Sequence, residues 1–324
     1  MKKLVILICI GMYICFSSVY AMDYLVMDSY SGRVLEESNG YEQNSIASLT
    51  KVMTSIILLE NADLKDKVIV PKMTIGGSEI GLKEGDKMTV YDILCGMLVA
   101  SGNDAAITTA IHVAGSIEEF TKLMNKKAKE IGCYNTNFVN PHGLDNENHY
   151  STAYDMALIT RYAMKFDKIN EIINSTSVNI NINGNVKTLR NTNALLKEEG
   201  YIDGVKTGYT SNADRCLITS ASDNDFRIIS VLLGAPTTEL RFSKSLELIN
   251  NNLFKYELID ISDVMNFNVH IDVEDSETKY LEYNFKDSMI YPLTKEERVD
   301  LNVEYNTVEY ITAPLNKGES LRKY

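Results

Sequence analysis

The sequence predicts an α+β fold, an antiparallel sheet with helices packed on it followed by a small all-β domain. Three observations point there. The runs 203–210, 215–221 and 227–233 read as strands, and Asp223-Asn224 turns the chain between the last two. Joints so short pair strands antiparallel, because parallel pairing needs a long crossover. Upstream, apolar residues recur at helical spacing, most clearly over 118–131, where Phe120, Met124, Ala128 and Ile131 lie on or near one stripe. Beyond residue 262 the pattern turns to period two, as in 267–273 and 299–305, and no segment reads as helix. The 324 residues, 45% of them apolar, suffice for one sizeable core plus a smaller domain. The expected boundaries are 1–21 for an export signal, 22–257 for the main domain and 258–324 for the β domain.

The elements follow in order. Met1-Lys2-Lys3 gives a positive end, residues 4–16 a short apolar core, and Val19-Tyr20-Ala21 a small-residue site, so cleavage is expected after Ala21. That core is short for a membrane span. Residues 24–27 and 33–35 read as a hairpin turned at 28–32, with Gly32 at the flexible position. Residues 46–59 read as the opening turns of a mostly buried helix. The stretch 68–89 is polar and broken by Gly76-Gly77, Gly81 and Gly85, which favours short strands and turns. Helical spacing returns over 90–99 and 104–114, and again over 155–166 after a proline-glycine loop at 138–144. The asparagine-rich 170–193 reads as peripheral strands or extended loop, and 238–251 as a helix on the sheet.

The net charge of -12, from 44 acidic and 32 basic residues, argues against a nucleic-acid partner and confines any contact with a polyanionic wall or membrane to local patches. Cys9 and Cys15 fall in the leader. Cys95, Cys133 and Cys216 fit neither a disulfide framework nor a zinc site; the first and last read as small buried hydrophobes, and Cys133 has no activating partner. His142 and His149 read as surface or structural loop residues, not metal ligands.

Ser48-Leu49-Thr50-Lys51 carries the chemistry. Residues i and i+3 share a helix face, so Ser48 and Lys51 stand side by side. A serine hydroxyl attacks well only when a base takes its proton, and a lysine is such a base once burial or nearby cations keep it neutral. Taken alone, the tetrapeptide also describes a serine N-cap followed by a lysine reaching out of an apolar helix. Ser101-Gly102-Asn103, in a loop between two helices, and Lys206-Thr207-Gly208, in a strand-like run, complete an ordered set.

Ser-x-x-Lys, Ser-x-Asn and Lys-Thr-Gly in this order are the active-site set of penicillin-binding proteins and serine β-lactamases. The chain resembles the serine-type D-alanyl-D-alanine carboxypeptidases of peptidase family S11, the low-molecular-mass penicillin-binding proteins. The likeness covers nearly all of the chain after the leader and is strongest around Ser48, in Ser101-Gly102-Asn103-Asp104-Ala105-Ala106, in Asn140-Pro141-His142-Gly143-Leu144 and in Gly204-Val205-Lys206-Thr207-Gly208-Tyr209-Thr210. It implies a β-lactamase/transpeptidase-like fold, with an antiparallel sheet flanked by helices, a cleft at the sheet edge, and a β-rich second domain. It implies that Ser48 attacks the bond between the terminal D-alanines of a peptidoglycan stem peptide, that Lys51 is the base, and that Ser101 relays a proton to the leaving amine. Asn103 would hold Lys51 and the substrate amide, Lys206 would add positive potential, Thr207 would bind the terminal carboxylate, and Gly208 would leave room for the substrate. The backbone amides of Ser48 and Tyr209 would form the oxyanion hole. The assignment of the base stays open at this level.

This mechanism requires no metal or organic cofactor, and β-lactam antibiotics are the implied inhibitors. Relatives usually continue beyond the region of Ala313 with further strands and an amphipathic anchoring helix. Here the sequence ends at Tyr324, so an abbreviated second domain and an exported protein without the usual anchor are expected. A β-lactamase or D,D-endopeptidase of the same superfamily is the near rival, although no convincing equivalent of a glutamate-centred deacylation loop stands out beside Glu147. A catalytically silent wall-binding protein is the rival from another class.

Overall fold

The computed structural model describes residues 22–264, 269–275, 277, 279–283, 288–301 and 310–312. The expected leader, 1–21, and the polar tail from 314 lie outside these residues. Strands β1 (Asp23–Asp28) and β2 (Val34–Ser38) form the expected hairpin. Asp28 turns it, its carboxylate accepting the N–H groups of Tyr30 and Ser31. A 3-10 turn, Ala47–Thr50, leads into α1 (Lys51–Asn61). The short strands β3 (Lys67–Ile69) and β4 (Lys87–Thr89) pair across the glycine-rich stretch. Helix α2 (Val90–Leu98) opens on a capping box of Thr89 and Asp92, and α3 (Asn103–Ala114) follows. Ser116 caps α4 (Ile117–Ile131), which buries Phe120, Met124 and Ala128 and stops at Gly132 with φ +100°.

Next come α5 (Ala153–Ala163), α6 (Asp167–Ile173) and the hairpin β5 (Ser177–Ile182) with β6 (Asn185–Arg190). The start of the asparagine-rich stretch is therefore helical rather than strand or loop. Ile169, Ile172 and Ile173 sit at i, i+3 and i+4 and are buried, but two turns are too short for that period to stand out. Strands β7 (Ile202–Thr210), β8 (Asp214–Asp223) and β9 (Phe226–Ala235) precede α7 (Thr238–Leu253).

The main sheet runs β2-β1-β9-β8-β7, antiparallel throughout, with β7 on an open edge. Successive side chains of a strand face opposite sides, and here both sides are covered. Leu217 and Ile228 pack with Leu248, Ile249 and Leu253 of α7. Ile218 and Val231 pack into the larger core with α1, α2 and α5. Each such fully buried side chain contributes about 1.5–3 kcal/mol of transfer free energy. The antiparallel sheet is thus flanked by helices.

Past α7, β10 (Glu257–Asp260) pairs with β13 (Ile290–Leu293), and β11 (Val269–Glu274) lies between β12 (Tyr280–Tyr283) and β14 (Tyr310–Thr312). Two short helices, α8 (Ile261–Val264) and α9 (Lys295–Val299), correct the expectation of strands alone. A capping box of Thr294 and Glu297 starts α9 where Val299 suggested a strand, and Val299 is exposed. Residues 302–305 of that expected strand lie outside the described residues. No helix among the described residues is long and apolar enough to cross a membrane.

Candidate active site

Ser48 stands on the 3-10 turn, not inside the helix, because Ala47 takes a left-handed φ of +47° that an α-helix cannot continue. Side chains three apart eclipse in a 3-10 turn, so Ser48 still lines up with Lys51 at the head of α1. Lys51 Nζ lies 2.8 Å from Ser48 Oγ, 2.7 Å from Asn103 Oδ1 and 2.8 Å from His142 O. Lys51 is fully buried, and desolvation first, then the nearby Lys206, pushes its pKa well below the ordinary lysine value, against a smaller opposing pull from Asp104. Two of its three partners can only accept. A neutral amine donates its two hydrogens to them and turns its lone pair to the Ser48 hydroxyl.

Ser101 and Asn103 come from the sharp joint between α2 and α3, where Ser101 takes φ +62°. Asn103 Nδ2 donates to Gly76 O at 2.7 Å while its Oδ1 holds Lys51, so both ends of the amide are engaged. Gly77 permits this approach, because a Cβ there would lie 2.8 Å from Asn103 Nδ2. Asp104 fixes the joint by accepting the N–H groups of Ile80, Leu82 and Ala105. Ser101 is buried and makes no hydrogen bond to Ser48, Lys51 or Lys206 among the described residues.

The third motif lies on the edge strand β7. Lys206 is buried rather than solvated, donates to Thr207 O at 2.9 Å, and is pushed down to about 7 by desolvation and by the Arg241 guanidinium. Thr207 Oγ1 lies 2.6 Å from Thr192 Oγ1. A Cβ at Gly208 would be crowded: it would lie 3.1 Å from Ala47 Cβ and Ile46 O and 3.3 Å from Ser48 N. The missing side chain therefore lets the turn of Ser48 lie close against the sheet edge. Tyr209 is exposed, with the Arg215 guanidinium over its ring, 4.9 Å from the centroid.

Several groups around the site were not legible as such. Arg241 on α7 is buried, its Nη1 3.5 Å from Gly208 O and its Nε without a partner among the described residues. Thr192 and the His142 carbonyl likewise gain their meaning only from contact. The Pro-His-Gly loop stands out in the sequence by resemblance alone, and its histidine and His149 are buried, not on the surface. Glu147 is exposed, and no carboxylate hydrogen-bonds to Ser48, Lys51, Ser101 or Lys206 among the described residues. Cys95, Cys133 and Cys216 are free and buried; desolvation raises Cys95 and Cys216 to about 12 and Cys133 further, so none of these three is an activated thiol.

A serine paired with a buried, deprotonatable lysine, facing an edge strand that carries a second lysine, is the arrangement of a serine acyl-transfer enzyme. The comparisons narrow the class. The family model for D-alanyl-D-alanine carboxypeptidase, peptidase S11, matches residues 15–237. The chain is 36% identical over 311 residues to the D-alanyl-D-alanine carboxypeptidase DacF of Bacillus subtilis, covering 93% of this chain and 80% of that protein. Against DacC of Escherichia coli it is 39% identical over 245 residues, covering 72% of this chain and 61% of that one. The structure of penicillin binding protein 5 from Haemophilus influenzae superposes with a TM-score of 0.79 at 29% identity, over 93% of this chain and 91% of that one. The chain belongs to the peptidase S11 family of D-alanyl-D-alanine carboxypeptidases.

Proposed function

We propose that this protein removes the terminal D-alanine from peptidoglycan stem peptides through an acyl-enzyme on Ser48. The observation that carries the reading is the contact set of Lys51, whose lone pair is left to Ser48 by two acceptor-only partners. Ser48 Oγ attacks the carbonyl carbon between the two D-alanines as Lys51 takes its proton. The oxygen that becomes negative is received by the N–H groups of Ser48 and Tyr209. The C–N bond then breaks, the leaving amine takes a proton by way of Ser101, and water hydrolyses the ester to restore Ser48. Asn103 holds Lys51 in register. Thr207 binds the terminal carboxylate beside Lys206, with Arg241 adding charge, and the anion draws Lys206 back toward its protonated form.

Residues 22–257 form the catalytic unit in this reading, and 258–324 an appended β-rich one. The substrate lies outside the cytoplasm, so the protein is exported; the leader pattern in 1–21 supports this. The same acylation makes β-lactam antibiotics inhibitors. The lack of a carboxylate contacting the catalytic groups among the described residues favours slow release of the drug over β-lactamase turnover.

The purified protein is expected to release D-alanine from a stem pentapeptide and to carry a lasting penicillin adduct on Ser48, both lost in Ser48→Ala. Equal D-alanine release by the two proteins would remove Ser48 from the mechanism. Fast drug turnover with only a fleeting adduct would indicate a β-lactamase, and cleavage confined to cross-linked peptides an endopeptidase.

A further inference from the structure

Behind the turn that carries Ser48 runs a buried hydrogen-bond chain that the reaction as described does not use. Thr50 Oγ1 lies 2.8 Å from Ala47 O and 2.8 Å from His149 Nε2. The directions follow by elimination. A carbonyl only accepts, so the Thr50 hydroxyl gives its one proton to Ala47 O and accepts from His149 Nε2. His149 Nδ1 accepts the N–H of Val139 at 3.2 Å, which places the ring proton on Nε2 in a neutral imidazole. Phe138 meets the ring edge-on at 5.7 Å, and burial, which lowers the histidine to about 4, keeps it uncharged.

The far end of the chain is an unusual peptide. Ala47 has φ +47°, a region that a residue with a side chain holds only when its surroundings enforce it. Gly143, at φ +88°, supplies the room, since a Cβ there would lie 1.8 Å from Ala47 O. In a trans peptide the C=O and N–H point opposite ways, so the bond that fixes the Ala47 carbonyl also aims the Ser48 N–H. That N–H makes no backbone hydrogen bond among the described residues. Its nitrogen sits at the β7 edge, 3.3 Å from the position of a Gly208 Cβ.

We propose that Thr50 and His149 are positioning residues of the oxyanion hole. The run from His149 Nε2–H through Thr50 Oγ1–H to Ala47 C=O holds the Ala47–Ser48 peptide so that its N–H meets the developing oxyanion. Neither side chain touches the substrate. The inference rests on the acyl-transfer reading of Ser48, and the first measurement separates the two: unmodified protein that forms no Ser48 ester with penicillin would defeat that reading.

Given the ester, two readouts decide the positioning role. Thr50→Val is expected to lower the second-order acylation constant about 10–100-fold, below or near the 10²–10³ loss for deleting an oxyanion donor outright. The infrared stretch of the Ser48 ester carbonyl should move to higher frequency, as a weakened hydrogen bond requires. Thr50→Ser, which restores the hydroxyl, should recover most of both. Acylation within threefold of native in Thr50→Val together with an unmoved carbonyl stretch would overturn the proposal. Nitrogen NMR on the unmodified protein tests the other end without a substitution. A neutral Nε2–H tautomer of His149 at pH 7 is expected, and an Nδ1–H tautomer or a charged ring would overturn it even if Thr50→Val failed to fold.

Discussion

Lys51 Nζ lies 2.8 Å from Ser48 Oγ, and the other two groups it touches, Asn103 Oδ1 and His142 O, cannot donate to it. The lysine is thereby set to receive the serine proton only while it is neutral. Protonated, it has three hydrogens for three acceptors and no lone pair to offer. Acylation should therefore fall as pH drops through the folded pKa of Lys51, which desolvation and Lys206 hold well below 10.5. A pH profile of the acylation constant is expected to show its acid limb far below that value. A limb centred near 10.5 would remove Lys51 as the base.

The second buried lysine costs stability. Lys206 titrates at about 7 in the folded protein against an ordinary lysine value of 10.5, so the unfolded chain binds more protons between those values. Stability from this group rises with pH across that window, and the penalty is fully present below pH 7. Lys206→Met should therefore raise the midpoint of thermal unfolding at pH 7 by roughly 2–4 °C for each kcal/mol recovered. The advantage over the unmodified protein should shrink toward pH 10.5, and D-alanine release should be lost. A variant less stable than the parent at pH 7 would contradict the assigned burial cost.

Two glycines should fail in different ways. A Cβ at Gly143 would lie 1.8 Å from a backbone oxygen and on a left-handed φ, so Gly143→Ala should cost more than about 3 kcal/mol or prevent folding. At Gly208 the closest atoms are at 3.1 Å, a gap that a shift of a few tenths of an ångström opens. Gly208→Ala should keep most of its stability, within about 1–3 kcal/mol, yet acylate penicillin roughly tenfold or more slowly, because the yielding part is the turn of Ser48 and a small misplacement is costly. Denaturant unfolding set beside acylation rates separates the two effects. Equal stability losses in both variants would sink the distinction.

Arg241 reaches Gly208 O with its Nη1 at 3.5 Å, has an Nε without a hydrogen-bond partner among the described residues and places its charge near Lys206, part of the carboxylate site proposed above. Arg241→Gln removes the charge. It should raise KM about tenfold for a peptide ending in a free carboxylate, with a smaller effect on kcat, in line with the roughly 1.5–3 kcal/mol of a charge-assisted bond. The same peptide with an amidated end should show little difference between the two proteins. An equal loss on both peptides would assign Arg241 to packing alone.

Much of this protein is written locally. The strands of the sheet, the stripe of α4 and the three ordered motifs are visible because their signals repeat over a few residues and depend on neighbours in the chain. Where a signal is too short to show a period, as in α6 and α9, the elements escape notice, and the start of the Ser48 helix shifts because a left-handed Ala47 leaves no mark in the sequence. Sequence thus determined which side chains are the candidates for the chemistry. Tertiary structure decided their surroundings: burial removes water from the Lys51 ammonium while acceptors on distant segments, Asn103 and His142, take its remaining hydrogens, which suits it to the proposed role of base. The turn of Ser48 folds against Gly208, and the roles proposed for Arg241 and His149 rest on where they are packed. Desolvation and hydrogen-bond direction depend on what surrounds a group in space, and residues far apart in the chain supply those surroundings.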